Sequence, residues 1–147
     1  MKIVRIDVGS IDSAAELAPL AALGGGAVAS FTGIARDDGD VVAIELEHYP
    51  AMTTASLNAL ADEAVVRWSL LGTVLVHRVG VVKVGEPIVL VGTAASHRAE
   101  ALEACAFLID RLKTEAPFWK KEHRADGSSA WVEAKGSDDA RADKWRN

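Results

Sequence analysis

The sequence predicts an α+β fold, a single domain with a largely antiparallel sheet and flanking helices. Three observations carry this. Strand-like alternation and helix-like periodicity are interspersed along the chain, without a regular βαβ repeat. Turns rich in glycine and aspartate separate adjacent strand segments, as hairpins require. The 147 residues, half of them hydrophobic, suit one core, with no linker, low-complexity tract or internal repeat to divide it.

Lys2–Val8 alternates like a strand, and Asp12 is placed to cap a short helix ending near Gly24. Ala27–Arg36 and Val41–Tyr49 read as two strands of a hairpin across the DDGD turn. Pro50 suits the first turn of a helix, whose apolar stripe is Leu57, Leu60, Ala61, Ala64 and Trp68. Thr73–Val82 and Pro87–Ala95 are β-rich, with KVGEP between them. Ser96 is expected to cap the next helix, with a stripe of Leu102, Cys105, Leu108 or Ile109, and Leu112. Pro117 should stop or kink it, since proline clashes with the preceding turn. Phe118–Arg124 and Ala130–Lys135 suggest a hairpin across DGSS, and residues 136–147 form a tail expected to add a short helix or fray.

Composition narrows the function. A net charge of -5 argues against a general nucleic-acid binder, so an anionic ligand needs a local basic site. Residues 111–124 offer one, with five basic residues against two acidic; a solvated charged face is the plainer alternative. The only cysteine, Cys105, cannot form an internal disulfide, and a cytoplasmic protein is the natural inference. The N-terminus is charged too early for a signal peptide. The longest uncharged run, Leu17 to Ala35, is interrupted by Pro19 and Gly24–Gly26, so no membrane span is expected. The glycine run reads as a flexible turn rather than a phosphate cradle, because no lysine or helix pattern follows it.

Chemistry has few places to reside. His48, His77, His97 and His123 show no metal-ligand spacing, and no GxSxG elbow occurs. Cys105 falls on an apolar helix stripe and reads as a buried structural thiol. Ser96-His97-Arg98 lies where a strand gives way to a helix, so exposed N–H groups and Arg98 could hold an anion; a capped helix with a basic first turn explains it equally. Lys113 and Lys120 flank Pro117, beside Phe118 and Trp119. Desolvation and the neighbouring Lys121 could make one lysine a base or nucleophile, or both could lie along aromatic surface with solvated heads. Arg98 and Lys113 are fifteen residues apart, about 22 Å along a helix at 1.5 Å per residue. Both can serve one small substrate only if the helix breaks or a second subunit supplies one of them.

Four stretches then resemble one family. They are GAVASFTGIARD (26–37), LEHYPAMT (46–53), HRVGVVKVGE (77–86) and SHRAEALEACAFLIDRLKTEAPFWKKE (96–122). In that order they are similar to the large, catalytic subunit of molybdopterin synthase, the MoaE family, across about residues 26–135. The resemblance implies an α/β hammerhead-type fold and a homodimer whose site is shared between subunits. It implies a small ubiquitin-like sulfur-carrier partner of the MoaD type, whose C-terminal thiocarboxylate supplies two sulfurs to cyclic pyranopterin monophosphate. No cofactor is then needed, and neither nucleic acid nor membrane is a partner. Carried over by position, Lys113 and Lys120 are the catalytic lysines. Arg36 lines the pocket, with backbone contacts from Ile34 and Ala35. His97 and Arg98 bind an anion from the neighbouring subunit, and Lys121 and Glu122 lie beside the pterin. The DDGD turn is short compared with many relatives. Lys135 stands where some have arginine, keeping the charge but losing the planar fork of a phosphate contact. A non-catalytic dimer that docks a ubiquitin-like protein or an anionic metabolite would need the docking surface but not Arg36, His97, Arg98, Lys113 and Lys120 together.

Overall fold

Two four-stranded sheets organise the chain in the computed structural model, which describes residues 1–7, 9–116, 118–132 and 136–146. The elements in chain order are β1 (Lys2–Asp7), α1 (Ser13–Ala21), β2 (Ala27–Ile34), β3 (Val41–His48), α2 (Pro50–Trp68) and β4 (Gly72–Arg78). There follow β5 (Gly80–Lys83), β6 (Pro87–Ala95), α3 (Arg98–Glu115), β7 (Phe118–Arg124), β8 (Ser129–Val132) and α4 (Gly136–Asp143). The first sheet runs β1-β4-β6-β2 and the second β5-β3-β7-β8. Only β1 and β4 pair in parallel, so the sheets are largely antiparallel, as the turn pattern implies.

The first sheet is covered on both faces, and its central strand β4 is buried at every position. Leu75 packs with Leu57, Leu60, Ala61 and Ala64 of α2 and with Ala104, Phe107 and Leu108 of α3. The alternate residues Val74 and Val76 pack on Leu20 of α1. That two-sided burial follows from the period-2 geometry of a strand. Asp12 caps α1 by accepting the Ala15 N–H at 3.2 Å, a contribution of about 1 kcal/mol. A third cluster, Ala35, Val41, Ile44, Leu46 and Val82, with Phe118 against it, supports the second sheet.

Several expectations are corrected. The hairpin across DDGD does not form. β2 pairs with β6 and β3 pairs with β5 and β7, in different sheets. At the corner, Ala35 donates its N–H to Glu86 O at 2.9 Å and accepts from Gly85 N at 2.8 Å, which diverts the chain toward the second sheet. Thr73–Val82 is likewise two strands, broken at Val79 just before Gly80, whose φ of 80° suits glycine. Within Gly24–Gly26, Gly24 takes a turn conformation with φ of 85°, but the other two are closely packed. A Cβ on Gly25 would meet Ala95 O at 2.5 Å, and one on Gly26 would meet Ser96 O at 2.5 Å, so these glycines allow close backbone packing.

α3 is capped at His97, without a side-chain hydrogen bond, and not by Ser96. Its stripe also shifts: Leu102 is 60% exposed, while Phe107, which the periodicity did not select, is fully buried against Trp68 and Trp145. The described part of the tail, residues 136–146, is held against the fold. Ala142 of α4 is buried, and Trp145 donates its indole N–H to Asp110 at 2.7 Å. The helix before Pro117 ends at Glu115; Pro117 itself lies outside the described residues.

Candidate active site

Lys113 and Lys120 flank the junction of α3 and β7. Lys113 stands in the last turn of α3, and Lys120 is two residues into β7. Phe118, which opens β7, shares the face of Lys120 and Glu122 because strand side chains alternate. Across this face β3 presents Leu46 opposite Lys120 and Ile44 opposite Glu122. Lys120 is thereby half-buried over apolar surface, and Glu122 lies 3.5 Å from the Arg124 guanidinium.

The surroundings of Phe118 were not found from the sequence. Its ring stacks on His77 at 3.9 Å and 16°, and lies 5.9 Å from the ring of His48. His77 is 5% exposed, and its Nδ1 is 2.7 Å from the carbonyl oxygen of Arg78. A carbonyl only accepts, so Nδ1 carries the proton. Burial pushes the His77 pKa down to about 4, and the positive charge of Lys113 acts in the same direction. The ring is therefore neutral at pH 7, and Lys113 is close enough for its charge to register there. His48 is held in turn by Thr53, 3.2 Å from its Nδ1, whose hydroxyl donates to the Tyr49 carbonyl at 2.9 Å. The signal for this cluster was the HRVG stretch, read as part of a strand and of the family resemblance, with no role given to His77.

Other members of the expected site lie apart. Lys121 alternates to the opposite face, where its ammonium stands 5.0 Å over the ring of Trp131. It therefore lies on the other face of β7 from Lys120 and Glu122, as strand periodicity requires. On that outer face Glu47, Tyr49, Trp119 and Trp131, with His48, line an open groove of about 460 Å³. Tyr49 and Trp119 meet edge to face at 5.0 Å. Three of the chain's eight aromatic residues are thus exposed together, a feature composition could not reveal.

Ile34 is exposed at the end of β2, but the Ala35 N–H is already given to Glu86, which leaves Ala35 no N–H to offer a ligand. Arg36 is exposed and pairs with Asp38 of the DDGD turn at 3.1 Å, a solvated contact of little energetic weight. His97 and Arg98 are exposed at the far end of α3. Glu100 already supplies negative charge to that first turn, so an anion there would depend on the His97 and Arg98 side chains. The helix between Arg98 and Lys113 is unbroken, so the two remain about 22 Å apart within one chain. Lys135 lies outside the described residues.

The basic run of residues 111–124 is partly neutralised. Arg111 pairs with Glu63 and Glu115, and Arg124 with Asp40 and Glu122. Cys105 is buried, and desolvation pushes its thiol up to about 11, which suits packing rather than nucleophilic chemistry.

Known proteins share both sequence and fold. The MoaE protein family model matches residues 5–115. A molybdopterin synthase catalytic subunit of Mesorhizobium japonicum is 51% identical over 148 residues, covering 98% of this chain and 93% of that protein. One from Pseudomonas aeruginosa is 47% identical, covering 97% of each. The structure of the molybdopterin biosynthesis MoaE protein from Burkholderia ambifaria superposes with a TM-score of 0.84 at 47% identity, covering 99% of this chain and 98% of that one. With a family match over three-quarters of its length and near half identity across almost all of it, the chain belongs to the MoaE family.

Proposed function

We propose that the chain is the catalytic subunit of a molybdopterin synthase, a sulfurtransferase working in the cytoplasm. Its substrate is cyclic pyranopterin monophosphate, and the sulfur comes from the C-terminal thiocarboxylate of a small ubiquitin-like carrier. The observation that carries this reading is the placement of Lys113 and Lys120 on either side of the α3–β7 junction, in a chain that also has Arg36, His97 and Arg98. A lysine ammonium attracts the anionic carrier tail, and a lysine beside the reacting group can donate a proton during transfer. No cofactor is required, because the carrier brings the sulfur; the inert Cys105 agrees with that division of labour.

The reading includes a homodimer. Strand β2 forms one edge of the first sheet and exposes Val28, Phe31 and Ile34, with Leu102 of α3 also exposed. Exposed edges of this kind are normally covered. A second copy seated there would supply His97 and Arg98. The aromatic groove of Tyr49, Trp119 and Trp131 is the face we assign to the carrier, since exposed Trp and Tyr are typical interface anchors.

Reconstitution tests this. Purified protein, thiocarboxylated carrier and cyclic pyranopterin monophosphate are combined, and molybdopterin is followed as its fluorescent oxidised derivative. Product that requires all three components supports the reading. Carrier binding without product would point instead to a docking module, and neither binding nor product would refute both.

A further inference from the structure

We propose that His77 is a positioning residue for this reaction: its buried ring is the platform on which Phe118 stacks, and through Phe118 it sets the places of Lys113 and Lys120. The inference rests on the function proposed above. It concerns a residue outside the lysine and arginine set.

The argument begins with the covalent chain. Phe118 is five residues after Lys113 and two before Lys120, at the start of β7. Its N–H donates to Ala116 O at 2.8 Å, so the backbone turn and the ring are fixed together. A displacement of Phe118 would therefore move Lys120 along the strand and the end of α3 behind it. Among the described aromatic rings, His77 is the one on which Phe118 stacks: it lies nearly parallel at 3.9 Å, whereas His48 is tilted by 35° and more distant.

The platform is itself rigid. His77 sits on β4, paired with Ile6 on one side and Val89 on the other. Its Nδ1–H is tied to Arg78 O, which fixes rotation about the ring bond. Burial keeps the ring uncharged at pH 7, so it adds no second positive charge beside Lys113. A displacement of about 1 Å at a reacting group can cost on the order of a hundredfold in rate, so such a platform matters for turnover.

Two substitutions separate the ring from the hydrogen bond. His77→Phe keeps an aromatic platform and loses the Nδ1–H. His77→Gln can retain a donor for the Arg78 carbonyl and loses the ring. The reconstituted reaction is measured for kcat, for KM toward the pterin and for Kd toward the carrier. We expect His77→Phe to keep kcat within about threefold of wild type and His77→Gln to lose at least about tenfold, KM and Kd being unchanged in both. Phe118→Ala combined with His77→Gln should be no slower than Phe118→Ala alone, because the two act as one unit.

The opposite ranking, His77→Gln active and His77→Phe inactive, overturns the proposal. So does a loss confined to KM. If wild type makes no product, the functional reading has failed, and the platform is judged separately by NMR. The ε-methylene resonances of Lys113 and Lys120 should then shift in His77→Gln and not in His77→Phe; equal shifts in both, or none in either, overturn it.

Discussion

Mixing two inactive variants should restore activity, and the extent of recovery follows from the length of α3. Arg98 and Lys113 belong to one unbroken helix, about 22 Å apart at 1.5 Å per residue. A pterin monophosphate cannot touch both from the same chain. Arg98→Ala and Lys113→Ala homodimers are each expected to lose nearly all turnover while folding normally, since both side chains are exposed. In a mixed dimer, one site combines the intact Lys113 of the first subunit with the intact Arg98 of the second. The other site lacks both. Random exchange makes half the dimers mixed, each with one working site of two, so turnover should return to about a quarter of wild type. Mixed dimers isolated with two affinity tags should reach about half. Assay is by the fluorescent molybdopterin derivative after co-refolding. Recovery near zero in verified mixed dimers would refute the shared site and require one chain to supply the complete set.

The remaining expectations concern stability, the thiol and the carrier. Phe107→Ala removes a fully buried ring packed on Trp68 and Trp145, and should cost about 3–5 kcal/mol in urea unfolding. Cys105→Ala should keep turnover within about twofold, because a buried thiol titrating near 11 takes no part in sulfur transfer. Trp119→Ala should raise the carrier Kd by at least about tenfold at constant thermal stability, measured by calorimetry, the ring being an exposed anchor. His77 titrates near 4 when folded against an ordinary 6.5, so between those values the unfolded chain binds the extra proton and stability falls as pH is lowered. The loss approaches roughly 3 kcal/mol once pH is below 4 and vanishes above 6.5; His77→Phe should lack it when ΔG is compared with wild type across that window.

Local signals were legible and non-local ones were not. Asp12, Pro50 and the DGSS turn announced their structures because capping, φ restriction and tight turns act over a few residues. The stripe of α2 was read correctly because four of its five positions face the same sheet and are buried. Strand pairing was misread at DDGD, since a turn sequence shows that the chain bends but not which strand receives it. The division of β4 from β5 had one marker, Gly80, within a continuous apolar run. In the candidate site, resemblance identified Lys113 and Lys120 by position, but only the alternation of β7 shows that Lys121 faces away from them. His77 was invisible as a participant because a histidine in a buried strand looks the same whether it is packing or platform until its neighbours are known.

The exposure of Leu102 and the separation of Arg98 from Lys113 have one explanation under the proposed dimer. Leu102 lies one turn beyond Arg98 on α3, and β2 beside that helix leaves Val28, Phe31 and Ile34 at an open edge. A monomer would leave these apolar groups and the strand's hydrogen-bonding edge in water, an arrangement that invites pairing. Covering them with a second copy removes apolar surface from water at about 25 cal/mol per Å². The same contact would deliver a partner's His97 and Arg98 to a site that the first chain cannot complete along its own helix. Stability and catalysis would then select the same interface. A charge placed at Leu102 should weaken dimerisation and turnover together, the two falling in parallel as protein is diluted; a dimer lost with turnover intact would break that connection.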